Sequence, residues 1–284
     1  MSGRKSTIWT KRSNEAANAE SKQEAADKRM ELSYAYASHR GNVRRMNQDN
    51  LICLGHYLPM GSMGTEDVIS GAVQDQAGAL FGVFDGMGGE QRGEAASCLA
   101  AQHASVTDPG GKGQALLQCC LEANRAICAF TAENGLKICG TTAAMALFRA
   151  GRAWLCNVGD SRIYRLRQGS MTQLSVDHVM PGYPGMKPPL FQFLGIPETE
   201  MRLEPQITET EVLPGDGYLL CSDGLTDMVE AGGIQAVLSS MPPREAVRQL
   251  MAQALENGGR DNVTAIYVQA ASPGRKRLFR FFSS

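Results

Sequence analysis

The sequence lacks any apolar run long enough to cross a bilayer. Its longest runs, such as Ala79 to Phe84, are far shorter than the roughly 20 residues that a transmembrane helix requires. It also lacks an apolar signal segment at its start, because Arg4, Lys5, Lys11 and Arg12 lead into a polar stretch. We therefore expect a soluble protein without an export signal, and we predict a cytoplasmic location.

Aromatic side chains are scarce, at 6% of the 284 residues, yet hydrophobic residues as a whole reach 43% and charged residues 20%. This balance is typical of globular proteins and excludes wholesale disorder. No internal repeat and no linker interrupts residues 31–270, so we predict one domain there. A polar N-terminal arm (1–30) precedes this domain, and a basic, aromatic C-terminal tail (271–284) follows it.

Paired CxxC motifs at zinc-ribbon spacing are also missing, although the chain has eight cysteines. Several cysteines lie inside apolar stretches, as Cys156 and Cys221 do, where cysteine behaves as a small hydrophobic residue. A disulfide framework would be unusual in so long a chain without a signal segment. Reduced thiols in the cytoplasm are the better interpretation.

The chain has almost no net charge, −1, but its charges are unevenly distributed. The arm carries a net charge of +3, residues 275–284 carry +4, and residues 31–274 carry −8. An acidic body excludes nucleic acid as the main partner, because binding to phosphate backbones depends on basic surface. It also indicates that some carboxylates are held together by a cation.

Sequence periodicity predicts an α+β protein in which strands and helices are grouped separately. The Gly- and Met-rich residues 55–76 and the Pro-rich residues 179–190 are predicted to form loops. Residues 10–30 fit either a loose helix or a disordered arm. Helices are predicted near 90–104, 113–133, 232–240 and 243–256, and strands near 32–37, 79–84, 141–149, 152–158, 161–166, 171–174, 206–213, 217–222 and 263–269.

Aspartate recurs where the predicted strands end or begin. Asp85 and Asp223 each follow an apolar strand and precede a glycine, Asp160 follows another strand, and Asp261 precedes the last one. Alone, each Asp-Gly pair is most simply a turn. Their recurrence in an acidic body indicates carboxylates gathered at one sheet edge, where hard oxygen ligands select Mg²⁺ or Mn²⁺ rather than zinc. Arginines in the segment 40–50 can bind two oxygens of a phosphoryl group beside such a site.

Taken in order, these segments resemble the metal-dependent protein phosphatases of type 2C, in the bacterial branch of that family. The resemblance covers residues 33–269, and six motifs in the family's order make it specific. The motifs are Arg44-Arg45-Met46-Asn47-Gln48-Asp49, Asp85-Gly86-Met87-Gly88-Gly89, Gly140-Thr141-Thr142, Asn157-Val158-Gly159-Asp160-Ser161-Arg162, Cys221-Ser222-Asp223-Gly224-Leu225 and Gly259-Arg260-Asp261-Asn262-Val263-Thr264.

The resemblance implies a four-layer α-β-β-α sandwich, in which two antiparallel sheets pack face to face and helices flank them. It also implies two Mn²⁺ or Mg²⁺ ions, with a third ion bound more weakly. Asp85 would bridge the two ions, the Gly86 carbonyl would bind one of them, and Asp223 and Asp261 would complete the second. Asp160 would hold the third ion together with Asp223.

By the same resemblance, Arg44 would bind the substrate phosphate and Asp49 would act beside the waters bound to the metals. The catalytic set is then Arg44, Asp49 and Asp85. Three further residues would support the ligand loops by hydrogen bonds: Thr141, Thr142 and Asn262. The implied reaction is hydrolysis of phosphoserine and phosphothreonine on proteins by a water activated between two cations. The implied partners are phosphorylated substrates of a serine/threonine kinase in signalling, and we expect a monomer.

Three features depart from the family's pattern. Gln48 stands where many members have glutamate, although its amide can still hydrogen-bond a water on a metal. Met87 stands where many eukaryotic members have histidine, and it cannot act as a general acid. The Pro-rich segment 179–190 falls where the family has a more polar flap, so the substrate preference stays open.

Other functions are alternatives to the enzyme. A pseudophosphatase would hold metal and bind phosphorylated partners without turnover, but retention of the metal ligands and of Arg44 favours catalysis. A nucleotide-binding site in the glycine-rich residues 86–89 is disfavoured, because the chain has no P-loop motif. The tail adds a separate hypothesis, since its four cations and three phenylalanines suit peripheral contact with anionic lipid or an acidic partner. A frayed or self-docked C-terminus is its simpler interpretation.

Overall fold

The computed structural model describes residues 29–87 and 92–272. The predicted helix or disordered arm over 10–30 lies almost wholly outside these residues, and so does the basic, aromatic tail with its hypothesis of membrane contact. Gly88 and Gly89 of the second motif lie outside them as well.

Six antiparallel strands form the first sheet. They are β1 (Glu31–His39), β4 (Ile69–Gln74), β9 (Arg162–Arg167), β10 (Ser170–Gln173), β12 (Gly217–Cys221) and β13 (Val263–Ala271). Their order across the sheet is β10-β9-β12-β13-β1-β4. The long β1–β13 pair at the middle, with Glu31 opposite Ala271 and His39 opposite Val263, joins the two ends of the domain.

The second sheet has seven strands. They are β2 (Asp49–Cys53), β3 (His56–Tyr57), β5 (Ala79–Met87), β6 (Gly140–Thr141), β7 (Ala143–Arg149), β8 (Arg152–Val158) and β11 (Gln206–Glu211). Six of them follow the order β11-β8-β7-β5-β2-β3, and the short β6 pairs with the end of β5.

Within the described residues, five α-helices flank the two sheets. They are α1 (Gly93–Ser105), α2 (Lys112–Glu133), α3 (Asp223–Thr226), α4 (Ala231–Ser240) and α5 (Pro243–Glu256). One apolar layer lies between the second sheet and α1 with α2, and another lies between the first sheet and α4 with α5. The third apolar layer lies between the two sheets. The structure therefore confirms the four-layer α-β-β-α sandwich.

Aromatic rings link the two sheets through this central layer. The ring centroids of Phe81 and Phe148 are 5.9 Å apart, and those of Phe148 and Tyr218 are 5.0 Å apart. Both pairs meet edge to face, a favourable geometry for aromatic rings. Trp154, 7% exposed, packs instead between the second sheet and its helices. Phe148 lies on the second sheet and Tyr218 on the first, so this pair joins the two sheets.

Most predicted elements agree with the structure to within a few residues, but two segments differ. The prediction of a loop over 55–76 is wrong in part, because β3 and β4 lie there, and β4 pairs with β1 along the edge of the first sheet. Strand β4 (Ile-Ser-Gly-Ala-Val-Gln) shows no regular alternation of apolar and polar residues. Its backbone pairing with β1 holds this exposed edge strand in place. Strand β2 was not predicted, because it begins with two polar residues, Asp49 and Asn50, although both are buried in the fold. No helix of the described residues is long and apolar enough to span a membrane.

We predict that Phe148→Ala lowers the free energy of unfolding by about 3–5 kcal/mol, because it leaves a cavity where two sheets meet. Urea denaturation measures the change. Val106→Ala is the control, since Val106 is 81% exposed, and it should change stability by no more than about 0.5 kcal/mol. A loss below about 1 kcal/mol at Phe148 would contradict the central packing described here.

Candidate metal centre

Strand ends from both sheets bring the predicted acidic residues to one edge of the sandwich. Asp49 begins β2 and lies directly opposite Asp85 of β5 in the strand register. Asp223 follows β12 and opens α3, while Asp261 lies two residues before β13. Asp49 and Asp85 belong to the second sheet, whereas Asp223 and Asp261 adjoin strands of the first sheet. The centre therefore depends on both sheets.

Hydrogen bonds fix the buried carboxylate of Asp49. Its Oδ2 accepts hydrogen bonds from Ser222 Oγ at 2.8 Å and from Thr264 Oγ1 at 2.7 Å. Ser38 Oγ lies 2.8 Å from Thr264 Oγ1, and it accepts a hydrogen bond from Asn47 Nδ2 at 2.9 Å. Because the Thr264 hydroxyl gives its hydrogen to Asp49, Ser38 must donate to Thr264. The donors thus run in one direction, from Asn47 to Asp49.

Burial and mutual repulsion raise the pKa values of several acids in this centre. Burial is the largest cause for Asp49, whose pKa rises to about 6; Asp261 adds to the rise, and the hydroxyls of Thr264 and Ser222 oppose it. The pKa of Asp85 is raised well above its ordinary value by burial and then by Asp49 and Asp160. Burial also raises the pKa of Asp160. Ionisation of these buried acids is unfavourable, and a positive charge between them would make it more favourable.

Two glycines allow the backbone segments of the centre to approach closely. A Cβ atom on Gly86 would overlap the carbonyl oxygens of Gln48 and Gly93, and one on Gly224 would overlap the carbonyl of Asn262. The Gly86 position therefore lies against both β2 and the start of α1, while α3 lies against the turn before β13. No larger residue fits at either place without a shift of the backbone.

Hydrogen bonds also hold the loops that carry the ligands, as predicted for Thr141, Thr142 and Asn262. Thr142 Oγ1 accepts from the backbone N–H of Asp85 at 2.9 Å, and Thr141 Oγ1 donates to the Asp85 carbonyl at 2.9 Å. Asn262 accepts from the Gln48 N–H at 2.8 Å and donates to the carbonyls of residues 40 and 46 at 2.8 Å. These side chains stabilise the backbone around the acids rather than the acids themselves.

Asp160 lies half-buried on a separate loop that other polar side chains position. The Thr142 and Ser161 hydroxyls lie 2.7 Å apart beside it, and His178 Nδ1 accepts from the Gly159 N–H at 3.3 Å. Burial lowers the pKa of His178, which fits this accepting role. The His178 side chain therefore helps to hold the loop that carries Asp160.

Two basic side chains contact acids of this centre. Arg44 Nη2 lies 2.7 Å from Asp261 Oδ2, and the Lys187 amine forms an ion pair with Asp223. In this arrangement, no group of three or more His, Cys, Asp or Glu side chains in the part of the chain that the structure describes is placed to hold a metal ion. The predicted ligands thus lie at one edge, and two of them, Asp261 and Asp223, form ion pairs with basic side chains.

The donor set nevertheless fits a hard divalent cation. Oδ1 of Asp49 and Oδ1 of Asp223 are buried and have no hydrogen-bond partner among the described residues. Carboxylate and carbonyl oxygens are the ligands that Mg²⁺ and Mn²⁺ prefer, and the raised pKa values show that the centre needs positive charge. The individual ligand assignments to Asp85, Gly86, Asp160, Asp223 and Asp261 stay predictions.

Sequence reasoning missed four residues that shape the centre. Ser222 and Thr264 lie inside the quoted motifs, next to Asp223 and near Asp261, but their role on Asp49 needs the two strands side by side. Ser38 is an ordinary strand residue in the sequence and carries no signal. Lys187 lies in the Pro-rich segment, where only the structure shows its partner. The Gln48 amide donates a hydrogen bond to Glu94 of α1 at 3.3 Å.

A small cavity adjoins the acids on the outer side. Its volume is about 280 Å³, and its walls include Lys187, Asp227, Met228, Arg260 and Asp261. Gly224 lines it as well. Asp261 and Gly224 belong to the acidic centre, so the cavity opens directly beside it. A group bound to the centre can therefore extend into this cavity.

Comparisons with known proteins agree with this geometry. A family model described as protein phosphatase 2C matches residues 63–265. The serine/threonine protein phosphatase PstP of Mycobacterium tuberculosis is 35% identical over 251 residues, which are 83% of this chain and 44% of PstP. The serine/threonine phosphatase stp of Listeria innocua is 32% identical over 216 residues, 66% of this chain and 82% of that protein. This chain therefore spans less than half the length of PstP but most of the length of stp.

Similarity extends to three-dimensional structure. The crystal structure of the PstP catalytic domain, in complex with two manganese ions, superposes with a TM-score of 0.70 at 31% identity. The match covers 85% of this chain and 99% of that one.

We predict that Asp49→Asn stabilises the metal-free protein by about 1–2 kcal/mol more at pH 7.5 than at pH 5. With a folded pKa of about 6 against 3.8 unfolded, the Asp49 carboxyl makes folding less favourable as the pH rises from about 4 through 6. The asparagine side chain has no such cost. Urea denaturation in EDTA measures the effect, and the same change at exposed Asp108 gives the baseline. An equal effect of Asp49→Asn at both pH values would contradict the raised pKa.

Proposed function

Because this chain belongs to the protein phosphatase 2C family, we propose that it hydrolyses phosphoserine and phosphothreonine on proteins with two divalent cations, Mn²⁺ or Mg²⁺. The observation that carries the proposal is the convergence of five aspartates from both sheets at one edge, with buried carboxylate oxygens that lack protein partners within the described residues. The two manganese ions in the PstP catalytic domain support the choice of metal.

The chain's own residues divide into those that hold cations and those that position them. Asp85, Asp223, Asp261 and the Gly86 carbonyl would hold two ions, and Asp160 would help to hold a third. When bound, the ions supply Lewis acidity and lower the pKa of a bound water toward neutrality. Asp49 lies behind this set, and its fixed orientation lets its second oxygen face the centre.

We assign binding of the phosphoryl group to Arg44. Its side chain is 49% exposed, so it lies at the mouth of the centre, and one guanidinium nitrogen contacts Asp261. A guanidinium has five N–H donors in a planar fork, so those directed away from Asp261 can bind two phosphoryl oxygens. Such contacts would orient the phosphorus and offset negative charge that develops on its oxygens.

The biological setting is also a proposal. We place the protein in the cytoplasm, as a monomer that opposes a serine/threonine kinase in signalling and acts on the substrates of that kinase. Two observations support this setting: all eight cysteines are free thiols, and stp, most of whose length matches this chain, is a serine/threonine phosphatase. The tail's contact with anionic lipid stays a hypothesis that these observations do not address.

We predict that Asp223→Asn lowers the Mn²⁺-dependent rate at least about 100-fold and leaves the fold intact. The change removes a predicted ligand but keeps the shape of the side chain. Release of phosphate from p-nitrophenyl phosphate and from a phosphothreonine peptide measures the rate, and circular dichroism checks the fold. No turnover by the parent protein with Mn²⁺ would instead favour the pseudophosphatase, whereas parent-like turnover by the variant would remove Asp223 from the metal set.

We predict that Arg44→Ala raises KM for a phosphopeptide about 10- to 100-fold with a smaller change in kcat, because it removes charge-assisted hydrogen bonds to the phosphate. Steady-state kinetics with saturating Mn²⁺ separates the two constants. Arg45→Ala is the control, since Arg45 is an exposed neighbour on the same loop. If KM rises for Arg45→Ala and stays constant for Arg44→Ala, the phosphate contact belongs to Arg45.

A further inference from the structure

Lys187 connects an exposed loop to the buried part of the metal centre. We call residues 179–190 the flap. The Lys187 amine forms an ion pair with Oδ2 of Asp223, although the lysine side chain is 56% exposed and the aspartate side chain only 7%. The lysine therefore reaches inward from the surface to a carboxylate predicted to bind metal.

The charge of Lys187 acts on more than one acid. It lowers the pKa of Asp85 and of Asp160, against the larger effect of burial on both carboxyl groups. One amine thus lies close enough to partly offset the negative charge of three of the predicted ligands. A divalent cation would supply the same compensation at the same place.

The flap is constructed so that its tip can leave the centre without refolding. Its base is closed by a bridge between Val179 and Leu190, and the Met180 N–H donates to the Pro189 carbonyl at 2.9 Å. Between these ends, most residues are exposed, and the glycines at 182 and 185 have positive φ angles of 91° and 76°. The base fixes where the flap begins, and the exposed residues between its ends let the tip carry the amine away from the centre.

We propose that the Lys187 amine competes with a divalent cation for the carboxylate of Asp223, so that metal binding and the flap contact exclude one another. An ammonium group and a metal ion on the same small carboxylate would repel each other at contact distance. By linkage, the flap contact weakens metal binding by the same factor as metal binding weakens the flap contact. This inference rests on the proposed function only in taking Asp223 as a metal ligand.

Mn²⁺ affinity tests the competition directly and needs no turnover. The free Mn²⁺ signal in electron paramagnetic resonance gives dissociation constants for the full chain and its variants. Lys187→Met keeps most of the length of the side chain and removes its charge, so its Kd for Mn²⁺ should be about 3- to 10-fold lower than that of the parent. Lys187→Arg should stay near the parent value, and Lys137→Met, at an exposed lysine away from the flap, should also leave Kd unchanged.

Hydrogen exchange of the flap gives a second readout that a purely structural role would not produce. In the parent protein, amide exchange over residues 182–187 should rise when Mn²⁺ is added. In Lys187→Met, it should already be fast and should not respond to Mn²⁺. Circular dichroism confirms that each variant is folded.

The outcomes separate this inference from the proposed function. Equal Mn²⁺ affinity in the parent and in Lys187→Met would overturn the competition and leave the metal centre standing. Tighter binding by Lys187→Met but not by Lys187→Arg would support it. A parent protein that binds no Mn²⁺ at all would overturn both the metal centre and the competition.

Discussion

Repulsion among carboxylates at a buried sheet edge is the constraint on which the rest of this structure depends. The chain gathers five aspartates at this edge, and burial raises the pKa values of three of them, Asp49, Asp85 and Asp160. Two surface cations, Arg44 and Lys187, turn inward and contact two of the acids. Two hydroxyl groups, those of Ser222 and Thr264, hold the carboxylate of Asp49. A cation-binding function explains why a fold would accept this cost.

The same constraint ties the centre to the closure of the sandwich. Asp49 belongs to the second sheet, but both hydroxyls on its Oδ2 come from the first sheet, at Ser222 and Thr264. Neither sheet could orient this carboxylate alone. Packing of Phe148 against Tyr218 in the central layer therefore also helps to fix the geometry of the edge. Stability and function share their contacts here.

The sequence allowed the fold class and the cluster of acids to be predicted, because both follow from local patterns. Asp85 and Asp223 follow apolar strand segments and precede glycines. These short patterns can be recognised without knowledge of tertiary contacts. Strand β4 could not be found in this way, since pairing with β1 holds it rather than any apolar pattern of its own. The roles of Ser38 and Lys187 depend on partners 226 and 36 residues away in the chain. Only the folded chain shows such pairs.

The one-way order of donors behind Asp49 has a consequence for proton traffic. A proton could leave Asp49 along this row only if the hydroxyls of Thr264 and Ser38 both reversed the direction of their hydrogen bonds. The row ends at Asn47 Nδ2. The Asp49 N–H lies 3.3 Å from the amide oxygen of Asn47, which fixes the orientation of that amide. An amide nitrogen cannot accept a proton, so the row is a dead end. This row therefore carries no proton away from Asp49, and Oδ1, which has no hydrogen-bond partner among the described residues, is the oxygen left for proton exchange.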